Sequence, residues 1–163
     1  MRYNLMLVSS VATFGMAGCA KDLSFDFSRS AERVAVSMKL QEDLKPRPMK
    51  AIYRSKICTF TNSNSNLEAY ERDGYKGLEQ HAESVADDGI YKAVFDLDGG
   101  GECQWKLSHL TFGAQYKYSS RFGSGALELG AGGVVVVFDD NSAPRGAWPT
   151  VVSGDLNIRE DYY

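Results

Sequence analysis

Tyr91-Lys92-Ala93-Val94-Phe95-Asp96-Leu97-Asp98-Gly99-Gly100-Gly101-Glu102-Cys103-Gln104-Trp105-Lys106-Leu107 is the stretch from which the fold can be read. Tyr91, Ala93, Phe95 and Leu97 fall on one face of a strand of period two. Asp98 to Gly101 supplies residues that tolerate a positive φ, and Cys103, Trp105 and Leu107 resume the alternation. The reading is a β-hairpin. After it the apolar set becomes Leu110, Phe112, Ala114 and Tyr116, one residue out of phase. Because a single extra residue reverses every side chain, a β-bulge is expected at His109-Leu110.

Working outward, Val34, Ala35, Val36, Met38 and Leu40 set against Arg33, Ser37 and Lys39 give a half-buried strand. Glu42 to Pro48 breaks it with two prolines, and a hairpin-like return leads into a second strand over Met49 to Phe60. Asn62 to Asn66 is a polar loop. Residues 67–86 carry helix formers and a rough helical spacing in Leu78, Ala82 and Val85, interrupted by Gly74 and Gly77, and predict one short helix. Val134 to Phe138 is an uninterrupted apolar run that predicts a central strand covered on both faces, and Thr150 to Ile158 predicts a last strand. Six to eight short strands imply a mainly β fold, an antiparallel sandwich or open barrel with at most one or two short helices.

The 163 residues are 44% hydrophobic and 24% charged, the composition of one ordinary globular domain. The formal net charge of −3 is the wrong sign for a nucleic-acid binder. Catalytic patterns fail individually. Asp96 to Glu102 has carboxylates at calcium-loop spacing, but the twelfth position, which an EF-hand fills with glutamate, is Leu107. Gly130-Ala131-Gly132-Gly133 lacks a third glycine at dinucleotide-binding spacing and precedes a strand, and neither a phosphate-binding GK[ST] nor a G-x-S-x-G elbow exists. Ser108 and His109 are neighbours on a strand and would point to opposite faces, which excludes a nucleophile and base. Asp87-Asp88 and Asp139-Asp140 read as solvated turns, and His81 and His109 stand alone without metal-ligand spacing. No catalytic residue, cofactor or metal site is expected, and the protein is not read as an enzyme.

Met1 to Asn4 carries one positive charge and Leu5 to Gly18 is uncharged and mostly apolar, the layout of a secretory signal peptide over residues 1–18. As a helix that run would rise about 21 Å, short of a hydrocarbon core of about 30 Å. Its end, Met16-Ala17-Gly18-Cys19, resembles the lipobox of bacterial lipoproteins, with Met16 where leucine is usual. The resemblance implies that Cys19 is the lipidated mature N-terminus. With Ala20-Lys21 following and no aspartate, it also implies sorting to the outer membrane, facing the periplasm. Each buried methylene of the lipid would add about 0.8 kcal/mol of anchoring. A plain secretory signal and an apolar first strand are the alternatives. Residues 19–32 then form a lipidated tether and residues 33–163 a β domain.

With Cys19 assigned to lipid, Cys58 and Cys103 remain as a pair in an oxidising compartment. A bridge would close a loop of about 46 residues, worth about 4 kcal/mol by chain entropy, and two buried free thiols are the alternative.

Residues 98–113, DGGGECQWKLSHLTFG, taken with the lipobox, resemble small lipoproteins that serve as immunity partners of phospholipase effectors delivered by type VI secretion. That resemblance implies a protein partner, a toxic lipase, neutralised by occlusion beside its membrane substrate. An acidic, aromatic-containing patch would steer a basic partner. The rival expectation is a structural or assembly lipoprotein of the envelope or of a secretion apparatus.

Overall fold

The computed structural model describes residues 21–27, 32–85, 89–123, 133–139 and 154–159. Their strands are β1 (Arg33–Lys39), β2 (Leu44–Pro46), β3 (Met49–Ser63), β4 (Ala69–Gln80), β5 (Glu83–Ser84), β6 (Ile90–Asp96), β7 (Asp98–Gly100), β8 (Trp105–Phe112), β9 (Ala114–Tyr116) and β10 (Val134–Val137). A 3-10 turn at Ser119–Phe122 is the one helical element among the described residues.

One sheet has the order β1-β6-β5 and the other β10-β8-β3-β4, with β7 added against β8; β2 and β9 form a two-stranded clasp. All pairs are antiparallel. The period-two pattern decides what lies between the sheets. Val36, Ala93 and Phe95 face inward from the first, and Met49, Ala51, Tyr53, Trp105, Leu107 and Leu110 from the second, in one apolar cluster. The result is an antiparallel sandwich, not a closed barrel. Each fully buried large apolar side chain here contributes roughly 1.5–3 kcal/mol, so loss of any one is a large fraction of a small domain's net stability.

The expected bulge is present. Ile52 pairs with His109 but Tyr53 with Leu107, so Ser108 is the extra residue and the inward set moves from Leu107 to Leu110. The glycine hairpin is present as β7 against β8, with Asp98 opposite Lys106, while β6 itself belongs to the other sheet. The chain changes sheets at Leu97, whose N–H goes to Glu32 and whose carbonyl accepts from Leu107.

Four expectations are corrected. Residues 69–80 form β4, not a helix: a β-hairpin partner, β3, satisfies their backbone, and Gly74 and Gly77 suit a strand crossed closely by its neighbours. No hairpin joins β1 to β3, because β1 pairs with β6 while the residues between include β2, paired to β9. Val134–Val137 is a strand but lies at the end of its sheet in the order given, with Val135 45% exposed, so it is not covered on both faces. Of the expected last strand, residues 154–158 are not in a strand, and 150–153 lie outside the described residues.

Candidate interaction surface

The central motif on one side of the sandwich is built around Ser55. Its buried hydroxyl donates to the carbonyl of Cys103 at 2.5 Å and accepts from the N–H groups of Ile57 (3.1 Å) and Cys58 (2.9 Å). This holds an irregularity in β3, where pairing with β4 jumps from Ser55/Gly74 to Phe60/Arg72. Gly74 makes the bulge possible: a Cβ there would lie 1.9 Å from the carbonyl oxygen of Cys58, which no side chain permits. The bulge brings Cys58 to Cys103, and the two are disulfide-bonded with a Cα separation of 5.3 Å. Cys103 is fully buried.

Residues Lys21–Phe27 lie against this motif. Lys21 Nζ donates to the carbonyl of Ile57, Asp22 N–H to Glu102 Oε2, Lys76 Nζ to the carbonyl of Leu23, and Asp26 N–H to the carbonyl of Gly99. The carbonyl oxygen of Asp22 sits 3.7 Å from Cys103 Sγ, a contact only, since a bridged sulfur has no proton to give. Phe25 packs edge-on against Tyr53 (4.9 Å) and Trp105 (6.1 Å), stacks on Phe27, and receives the Lys76 ammonium 4.6 Å from its ring centre. The three glycines explain the approach. A Cβ on Gly99 would be 3.0 Å from the Phe25 ring, on Gly100 2.2 Å from the Asp26 carbonyl oxygen, and on Gly101 2.5 Å from that of Ser24. Only Gly100 and Gly101 have positive φ, at 54° and 71°; Gly99 is glycine for space alone.

Beyond the disulfide, β3 and β4 run on as a two-stranded arm whose residues 61–72 are all exposed. Asn64 shapes its tip, its side-chain oxygen accepting from the N–H groups of Asn66 and Glu68 and its amide donating to Glu68 Oε2. The expected polar loop is therefore a tight turn. At its apex Leu67 is 86% exposed and held at φ 65°, a conformation that costs a leucine about 1 kcal/mol; its N–H donates to the carbonyl of Asn64 while its side chain is left to solvent. Tyr70 is 42% and Tyr75 67% exposed, and Phe60 meets Tyr75 edge-on at 5.6 Å. Glu68, Glu71 and Asp73 lie among them, with Arg72 the cation of the same strand segment. At the foot of the arm Tyr75 pairs across the ladder with Arg54, whose Nε is buried without a hydrogen-bond partner among the described residues. Tyr and Arg are the residue types that most often anchor protein interfaces.

The remaining candidates fall elsewhere. The Ser108 bulge overturns the expectation that Ser108 and His109 diverge, since Ser108 Oγ lies 3.4 Å from His109 Nδ1. Ser108 is fully buried. Burial and the Arg54 guanidinium lower the His109 pKa, opposed by the Asp139 carboxylate. His81 is exposed after β4, away from the pair. Asp98 accepts from Lys106 and from the Gly100 N–H, and Lys106 holds its carboxyl below the usual range; Asp96 pairs with Arg33 at 2.7 Å. The carboxylates of the 96–102 segment thus bind side chains, a turn and, for Glu102, the backbone of Asp22. Asp87, Asp88, Asp140 and residues 130–132 lie outside the described residues, as do Cys19 and the signal segment. Sequence reasoning missed Ser55 and Gly74, which carry no motif, and Leu67, whose exposure depends on the arm.

No protein-family model, curated protein or solved structure matches this chain.

Proposed function

We propose that this protein is a lipid-anchored periplasmic binding protein that neutralises a toxic lipase-type effector by covering it, with the β3–β4 arm as its contact element. The arm carries the argument. An exposed leucine fixed in an unfavourable conformation at the tip of a hairpin, with two exposed tyrosines and three carboxylates behind it, is costly for a free monomer and useful against a partner. The arm's charge suits a basic surface. The disulfide at its base supplies the rigidity that keeps the ordering cost of binding small.

The test is co-expression with a lipase-type toxin, sought first in the neighbouring gene, where the immunity reading expects it. Cells with the wild-type protein should survive, and the double variant Leu67→Ser/Tyr70→Ala should fail to protect while remaining folded and at wild-type abundance. Protection by the double variant would remove the arm from the contact. Equal killing with and without the wild-type protein would remove the immunity reading, and an envelope or secretion defect on deletion without any toxin would favour the assembly role.

A further inference from the structure

The docked segment Lys21–Phe27 changes what an anchor at Cys19 would mean. A free stretch over residues 20–32 would let the domain stand as far as about 45 Å from the bilayer. Yet the chain is fixed from Lys21 onward, by Lys21 to Ile57, Asp22 to Glu102, the Leu23 carbonyl to Lys76 and Phe25 in the aromatic cluster. Only Ala20 separates Lys21 from Cys19, and two residues span at most about 7 Å.

We propose that residues 21–27 are a rigid mount that sets the base of the β3–β4 arm directly on a phospholipid surface. The inference rests on the reading of Cys19 as the lipidated residue. The chemistry around the mount suits the occupant. Leu23 and Ile57 are 53% and 44% exposed there, and Lys21 and Lys56 are exposed beside them. Apolar side chains with flanking lysines are what an interface of acyl chains and anionic headgroups accepts. Three acids lie nearby: Asp22, which accepts from the N–H and hydroxyl of Ser24 and has its pKa lowered by them, Glu102, which accepts from Asp22 N–H, and exposed Asp26; Lys21 and Lys56 offset this charge, and the apolar pair Leu23 and Ile57 makes the contact with the acyl region. The mount also places the arm, which starts at Ile57 and Cys58, at the height of a membrane-bound enzyme.

The test uses the full-length lipidated protein in phosphatidylethanolamine/phosphatidylglycerol vesicles whose acyl chains carry bromine, a short-range quencher of tryptophan. Ile57→Trp is compared with Val94→Trp, an exposed site on the outer face of the other sheet, each over the wild-type background. Flotation with the vesicles is read in the same samples. The expected result is flotation of both variants with Ile57→Trp quenched several-fold more than Val94→Trp, and loss of that difference when a flexible linker of about ten residues is inserted between Ala20 and Lys21. Flotation with equal quenching at both sites would overturn the mount and leave the anchor intact. Failure of the wild-type protein to float would overturn the anchor, and the mount with it. Should Ile57→Trp misfold, Leu23→Trp against Val94→Trp gives the same decision.

Discussion

The phenolic hydroxyl of Tyr53 donates to the backbone carbonyl of Asp96 across 2.7 Å, tying β3 of one sheet to the end of β6 in the other. Tyr53→Phe keeps the ring and leaves that carbonyl without its donor, so stability should fall by about 1–2 kcal/mol in urea denaturation. Alkali should act on the same bond. Burial, with the Asp96 carboxylate adding to it, pushes the hydroxyl from 10.0 up to about 12 in the fold. The folded state therefore keeps a proton that the unfolded chain releases, and the contribution is complete below pH 10 and lost as pH rises toward 12. A wild-type profile parallel to that of Tyr53→Phe across this window would show that the hydroxyl is not the group responsible.

Ser55→Ala should be among the most damaging small substitutions. It leaves two backbone N–H groups of a partly buried bulge and the buried Cys103 carbonyl contact without their partner, for about 2–3 kcal/mol. Gly74→Ala should cost at least as much, because its Cβ meets backbone and the bulge must open to admit it. Thermal denaturation should order the variants wild type, then Ser55→Ala and Gly74→Ala, with exchange of arm amides accelerated in both.

The cysteines should separate by role. Cys103→Ser should leave a membrane-bound protein less stable by up to about 4 kcal/mol in the chain-entropy model, with the arm and the Lys21–Phe27 segment loosened first. Cys19→Ser should release the protein into the soluble fraction with the core unchanged. Fractionation with acyl labelling reads the second, and thiol counting under denaturation the first; two free thiols at 58 and 103 in wild-type material would contradict the bridge.

Acid should find His109. Its folded pKa lies below 6.5 through burial first and Arg54 second, so below that pH the unfolded chain takes up a proton that the folded one refuses, and stability falls with falling pH. His109→Gln should remove this component, and Arg54→Gln should raise the His109 pKa in an NMR titration. An unmoved titration in Arg54→Gln would assign the shift to burial alone.

Legibility followed locality. The strand over 91–96, the glycine turn and the phase change near His109 were readable because each is set by neighbours in sequence: alternation, φ tolerance and one extra residue. The pairing of Cys58 with Cys103 was legible from parity of cysteines once Cys19 was set aside. The helix over 67–86 was misread because Leu78, Ala82 and Val85 mimic a helical stripe, whereas fifteen-residue β3 offers β4 a ladder that propensity does not register. Gly99 was read as one more turn residue, though a Cβ there would be crowded at once by Trp105 nearby in the chain and by Tyr53 and Phe25, the last a ring more than seventy positions away. Ser55 was invisible because a buried serine satisfying three backbone groups looks like any serine in a strand. The proposed contact surface was the least legible, since exposure of Leu67 and Tyr75 is a property of the assembled arm.

The pairing of β1 with β6 sets Arg33 opposite Asp96. A chain emerging from its amino end therefore presents β1 long before β6 exists, while β3 and β4 can close on each other as soon as the Asn64 turn is made. Assembly should begin from the arm's ladder and finish with the first strand, a late closure across a long loop that is intrinsically slow. Until then the valines of β1 stay uncovered, for about the time that sixty residues take to follow.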